Sequence, residues 1–195
     1  MELILDMTRR YTYADYLTWL DDKRRELIDG FIRTMSPAPA LSHSRVEGRI
    51  YNTFYNYINK CGGPCEVFNS PFDVRLPKNG ETEDNKIYSV VQPDICVVCD
   101  PSKLDERGCL GAPDMIVELL SPSTRKYGLN DKYRLYEASG VKEYWVIDVR
   151  GRDVTVFLLQ DNGTYAEGVV YTDNAHIPVQ TLPELEIETA ELFRF

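Results

Sequence analysis

The sequence predicts an α/β or α+β fold built around a central mixed sheet. Hairpin signals at Asp29-Gly30 and at Asp161-Asn162-Gly163 call for antiparallel strands. The apolar runs Pro113–Leu120 and Glu143–Asp148 are separated by a stretch of helical period, the pattern of a strand–helix–strand crossover. Val46, Ile50, Phe54 and Ile58 recur every four residues, which predicts a long helix with one apolar stripe. The chain's 195 residues are 43% hydrophobic and 27% charged, which suits one compact domain over 1–195 and fits neither a disordered nor a fibrous chain.

The elements follow in order. Thr12 caps a first helix over Tyr13–Leu20, with Asp15 placed for a short capping box. ELIDGFIRTMS forms the N-terminal hairpin around Asp29-Gly30, and Met35–Leu41 is a proline-rich loop. The long helix begins at Ser42, runs to about Lys60 and is stopped by Cys61-Gly62-Gly63-Pro64. Cys65–Leu76 supplies one or two strands, and polar Pro77–Tyr88 reads as a loop or hairpin tip. Gln92–Cys99 and Pro113–Leu120 are two clear strands joined by a loop from about Asp100 to Ala112. After SPST, a helix runs from about Arg125 to Ser139 and stops at Gly140. EYWVID, DVTVFLLQ and TYAEGVVYT then form a C-terminal antiparallel meander.

With 22 basic and 31 acidic residues, the net charge of −9 excludes a protein that coats nucleic acid by charge alone. Work on nucleic acid would need a local site in which metal ions offset repulsion. No run approaches the roughly 18 apolar residues of a membrane span, so a cytoplasmic location is expected. Five cysteines, an odd number without a sign of secretion, are read as reduced thiols.

The chemistry centres on Asp94 and Glu118. If their strands form an antiparallel pair around a loop centred near residue 106, opposed residue numbers total about 212. Asp94 and Glu118 meet that condition, and directly opposed Cβ atoms lie about 4.5–5.5 Å apart. Cys96, Val98, Ile116 and Leu120 share their face and are apolar, so the face is turned to protein. Two carboxylates there take up a proton or are bridged by a cation, and an oxygen-only pair suits Mg²⁺ or Mn²⁺. The competing reading is a register slipped by one, with one carboxylate in solvent. Lys132 falls on the inward stripe of its helix with Leu129, Tyr133 and Tyr136, from which it either reaches back to the acidic pair or snorkels to the surface.

ELIDG (26–30), the S-H-S helix start (42–44), QPDICVV (92–98), PDMIVELLSPST (113–124) and DKYRLYEASGVKEYWVID (131–148) together resemble the Uma2 family. That family is a domain of unknown function with a restriction-endonuclease label, similar to the PD-(D/E)XK nuclease-like superfamily. The likeness covers about Tyr11 to Leu192 and implies a restriction endonuclease-like core. By this resemblance Pro93-Asp94 matches the PD motif and Glu118 the acidic position. The lysine expected at 120 is replaced by Leu120, and Lys132 on the following helix is the matching cation. Glu26 matches an acidic residue that completes the site. Gly128 stands where an aspartate is common in the family.

The implied reaction is Mg²⁺- or Mn²⁺-dependent hydrolysis of DNA phosphodiester bonds, with the ion held by Asp94, Glu118 and the backbone carbonyl of Leu119. Arg24, Arg25, Arg45, Arg49, Arg125 and Lys126 are candidate phosphate contacts. His43 contacts either phosphate or its own helix start. A zinc site from Cys61, Cys65, Cys96 and Cys99 is disfavoured, because residues 96 and 99 of one strand point to opposite faces. Acyl transfer through Ser121 and His43 is rejected, since no GxSxG elbow is present. The rivals are a non-cleaving nucleic-acid-binding or structural module of the same fold, and a small-molecule phosphodiesterase. A homodimer fits the apolar C-terminal strands.

Overall fold

The computed structural model describes residues 4–21, 23–35, 40–120 and 128–195, and of residues 128 and 129 the backbone alone. The SPST segment, Arg125, Lys126 and the middle of the proline-rich loop lie outside the described residues.

The first helix, α1 (Tyr13–Tyr16), has the expected reciprocal cap: the Thr12 N–H donates to Asp15 Oδ2 at 2.8 Å and the Asp15 N–H donates back to Thr12 Oγ1 at 3.3 Å. It ends one turn in rather than reaching Leu20. Leu20 is 95% exposed, so a longer helix would bury nothing, and so short a helix is marginal without packing. Strands β1 (Arg25–Ile28) and β2 (Phe31–Thr34) form the expected hairpin. Asp29 at φ 52° and Gly30 at φ 86° both take the left-handed conformation of a two-residue turn. Helix α2 (Leu41–Cys61) buries Val46, Ile50 and Phe54 completely and stops at Gly62, φ 68°.

The chain then builds β3 (Glu66–Asn69), β4 (Val74–Arg75), β5 (Val90–Val91) and β6 (Ile95–Val98). The expected single strand Gln92–Cys99 is therefore corrected. Val90–Val91 pair in one sheet and Ile95–Val98 in another, and Gln92-Pro93-Asp94 crosses between them. The expected loop after Asp100 holds a further hairpin, β7 (Leu104–Asp105) and β8 (Gly108–Leu110). Next come β9 (Met115–Leu119), α3 (Gly128–Ser139), β10 (Glu143–Asp148), β11 (Asp153–Leu158) and β12 (Val169–Tyr171). A small hairpin, β13 (His176–Pro178) and β14 (Glu186–Glu188), leads into α4 (Thr189–Leu192).

The central mixed sheet runs β12-β11-β10-β9-β6-β3, with β9 and β10 parallel across the α3 crossover. Alternation along its strands sends Ile95, Val97, Met115, Val117 and Trp145 to the α2 side, where they pack on Val46, Ile50 and Phe54. Cys96, Val98, Ile116, Tyr144 and Val146 face the α3 side with Leu135 and Tyr136. A second six-stranded sheet, β2-β1-β5-β4-β8-β7, was not visible in the sequence; its strands β4, β5 and β7 are only two residues long, too short to show a period.

The reading of all five cysteines as reduced is also corrected, since Cys65 and Cys99 form a disulfide. They flank β3 and β6, whose pairing of Glu66 with Val98 sets the next two residues opposite each other. Cys96 is buried on the other face, and among the described residues no group of three or more His, Cys, Asp and Glu side chains is arranged to hold zinc or another metal.

Gly108 sits at φ 115° with the Asp73 carbonyl only 2.2 Å from where a Cβ would lie. Gly108→Ala should therefore lower unfolding free energy by about 2–3 kcal/mol, measured by urea denaturation. An unchanged midpoint would contradict this placement of β8.

Candidate active site

The register between β6 and β9 sets the site. Ile95 opposes Val117 and Cys96 opposes Ile116, the pairing inferred from the centre of the loop. Asp94 immediately precedes β6, and Glu118 lies on the α3 face of β9. Asp94 Oδ2 accepts from the Leu119 N–H at 2.7 Å. Leu119 thus joins the site through its amide.

Glu118 Oε1 accepts from Lys132 Nζ at 2.8 Å and from the Tyr136 hydroxyl at 2.7 Å. Lys132 Nζ also donates to Glu26 Oε1 at 2.9 Å, and that oxygen accepts from the Gln92 N–H at 2.8 Å. The alternation of β1 puts Glu26 inward, and the i, i+4 spacing on α3 puts Lys132 and Tyr136 on one face. The structure thus brings Glu26, Asp94, Glu118 and Lys132 together. Lys132 does not snorkel, its side chain being only 15% exposed. The Leu129 side chain of its predicted stripe lies outside the described residues.

The electrostatics follow from burial. Desolvation lifts the Asp94 carboxyl to about 6 against the pull of the Leu119 N–H and Lys132. It lifts Glu118 to about 7, with Lys132 opposing and Asp94 and Glu26 adding to the rise. Burial works against the charge on Lys132, yet Glu118 and Glu26 outweigh it and hold the ammonium above its ordinary value. Burial and the Glu118 charge push the Tyr136 phenol well up, so it remains a donor. Three carboxylates around one ammonium leave excess negative charge.

The cluster falls short of three converging metal ligands among the described residues, but the chemistry of its donors is of the kind that suits a hard divalent cation. The donor set is all oxygen and short of positive charge, and Mg²⁺ is commonly held by one or two carboxylates with water completing the shell. Asp94 and Glu118 would hold such an ion, with Lys132 and Glu26 beside it.

His43, at the start of α2, places Nε2 3.7 Å from Asp94 Oδ2 and Nδ1 3.7 Å from Glu47 Oε2. Its Nδ1 is buried without a hydrogen-bond partner. Burial raises the Glu47 carboxyl, with His43 and Arg24 opposing. Sequence reasoning missed Tyr136, Gln92 and Glu47 as site residues. The i, i+4 spacings of Lys132 with Tyr136 and of His43 with Glu47 were the available signals.

Several expected phosphate contacts are committed internally. Arg25 bonds Asp21, and Arg49 donates to the Leu192 carbonyl at 2.9 Å. Arg24 bonds Gln92 Oε1 at 2.9 Å and also bonds Ser70. Arg45 is exposed.

A family model described as "Putative restriction endonuclease", Uma2, matches residues 13–190. The chain belongs to the Uma2 family. An uncharacterized protein of Synechocystis sp. is 27% identical over 154 residues, covering 77% of this Uma2 chain and 75% of that one. The crystal structure of a protein from Anabaena variabilis, titled a putative nuclease belonging to DUF820, superposes with a TM-score of 0.72 at 22% identity. The match covers 94% of this chain and 97% of that one, and it shows that the two share a fold.

Asp94 supplies a stability test. Its folded value near 6 lies above the ordinary carboxylate value of about 3.9, so the folded state binds more protons between these values and loses stability as pH rises through them. Asp94→Asn retains an acceptor for the Leu119 N–H without the buried charge. In chelator at pH 8 the variant should be more stable than the parent by on the order of 1–2 kcal/mol, with the gain vanishing below about pH 4. Equal stability at pH 8 in urea titrations would contradict the burial of this charge.

Proposed function

We propose that the chain is a divalent-metal-dependent endonuclease that hydrolyses DNA phosphodiester bonds at the Asp94–Glu118–Lys132 cluster. The single observation that carries this reading is the buried ammonium of Lys132, held between Glu118 and Glu26 at 2.8 and 2.9 Å beside a third carboxylate, Asp94. Membership in the Uma2 family supports it.

Lys132 is the group placed to orient the attacking water or to stabilise negative charge building on the phosphorane. Tyr136 and the Gln92 N–H hold Glu118 and Glu26 in the orientation that keeps Lys132 pointed at the site. The Leu119 N–H does the same for Asp94. A cation held by Asp94 and Glu118 would supply Lewis acidity at the phosphoryl oxygen and acidify water. These positive groups offset the negative surface of the chain where phosphate must approach.

One observation favours the rival, a non-cleaving nucleic-acid-binding module. Lys132 is already matched by two carboxylates, as in a structural ion pair. Plasmid nicking or linearisation with Mg²⁺ or Mn²⁺ separates the two. The nuclease reading expects cutting that falls by about 10²-fold or more in Lys132→Ala and is lost in Asp94→Ala. Binding without cutting would favour the module, and cutting that survives both substitutions would place the chemistry elsewhere. A crystal soaked in Mn²⁺ should show anomalous density between Asp94 and Glu118; density confined to other positions would remove the proposed ion site.

A further inference from the structure

At the start of β1 a cavity of about 270 Å³ opens between the residues that follow α1 and Gln92. Tyr16 and Trp19 form an aromatic wall, their rings 5.5 Å apart and inclined at 53°. Arg25, clamped on Asp21 at 2.7 Å, lies 5.7 Å from the Trp19 ring centre and holds that wall in place. Gln92 and Arg24 line the remainder. The volume lies just below the usual range of about 300–1,000 Å³ for small-molecule pockets, so it suits one small planar group.

Gln92 connects this cavity to the catalytic cluster. Its backbone N–H holds Glu26 Oε1 at 2.8 Å, while its side-chain oxygen accepts from Arg24 at 2.9 Å and its amide nitrogen donates to Asp73 at 2.8 Å. Arg24 also bears on the inner side, where its charge opposes the rise that burial gives the Glu47 carboxyl. The cavity and the cluster therefore meet at Gln92, whose side chain lines one and whose backbone N–H bonds Glu26 of the other. Arg25 is neutralised by Asp21 and Asp73 lies behind Gln92, so Lys23 and Arg24 are the basic side chains of the lining that can meet a phosphate.

We propose that this cavity binds one unstacked nucleobase of single-stranded DNA, flanking the phosphate at the Asp94–Glu118–Lys132 cluster. Aromatic faces beside basic side chains are the chemistry by which single strands are held, since every base offers a π-face and every linkage a charge. A base within a duplex stays stacked and cannot enter unless it is flipped out. The inference rests on the nuclease reading for the position of the phosphate. It makes the substrate single-stranded DNA or a locally unpaired segment of duplex.

The chain has two tryptophans, and Trp145 is fully buried, so a change in tryptophan emission on binding reports Trp19. The experiment titrates the full Asp94→Asn chain, in chelator, with a short single-stranded oligodeoxynucleotide and reads tryptophan emission and DNA anisotropy together. Binding should quench Trp19, and Trp19→Ala should weaken affinity by on the order of tenfold or more. Trp19→Phe should retain near-parental affinity by anisotropy. An oligonucleotide of abasic residues, which leaves the protein untouched, should bind about as weakly as intact DNA binds Trp19→Ala and quench nothing. The proposal is overturned if intact and abasic strands bind equally, if saturating DNA leaves Trp19 emission unchanged, or if no strand binds. Metal-dependent cutting that is indifferent to base removal would sink the pocket and leave the nuclease standing. Base-dependent quenching in a chain that never cuts would do the reverse.

Discussion

One buried ammonium organises this site. Lys132 reaches from α3 to Glu118 on the central sheet and to Glu26 on the N-terminal hairpin, 106 residues away in the chain. A carboxylate taken out of water without a partner is costly, and here three are brought to one place. Lys132 makes that arrangement tolerable but does not complete it. Glu118 is still pushed up to about 7 and Asp94 to about 6. The cluster holds more acid than its lysine can balance, and a site in that condition takes up protons or a cation when either is available. Stability and chemistry are therefore in tension at these positions, as is common where a fold concentrates charge for function.

The two sheets meet at Gln92-Pro93-Asp94, and the way this crossing is held explains why carboxylates belong there. Pro93 offers no N–H, so the strand cannot continue its ladder through it. The Gln92 N–H is satisfied by the Glu26 side chain, and the Leu119 N–H by that of Asp94. Carboxylate oxygens stand where carbonyls would serve in an unbroken sheet. Strands from both sheets are thereby tied to the same cluster, and the side chains that carry the charge also fix the geometry. Arg33 of β2 adds a bond to Asp131 at 2.8 Å, bracing α3 next to Lys132.

How far the sequence exposed this depended on how local each signal was. The opposition of Asp94 and Glu118 could be read because two strands around one loop have a register that follows from its centre. The burial of Lys132 could be read from helical spacing, and the Asp29-Gly30 turn from its left-handed requirement. The second sheet could not be read. It pairs β1 with β5 and β4 with β8, contacts between segments far apart in sequence, through strands too short to show a period. The hairpin within residues 104–110 was hidden for the same reason, and the second half of the first predicted helix failed because Leu20 has nothing to pack on. Cys65 and Cys99 are 34 residues apart, and only the β3–β6 pairing makes them neighbours. Gln92 was missed because its role belongs to its backbone N–H, which no residue type announces.

The acidic balance of the chain bears on how a nucleic acid could approach. Many of its basic side chains are engaged within the protein: Arg25 with Asp21, Arg33 with Asp131, Arg75 with Asp105, and Arg49 with the carbonyl of Leu192. Arg75 is 1% exposed and cannot serve as a phosphate contact at all. A protein that neutralises few phosphates gains little from counterion release, and its affinity falls only gently with salt. Attraction would then come from short-range terms, chiefly a cation taken up at the carboxylate cluster and stacking where aromatic rings are accessible. Both terms act on a strand whose backbone and bases can separate, and neither acts strongly on a closed duplex seen only as a rod of charge. The same composition that excludes a coating protein thus favours a site that selects its substrate by local shape.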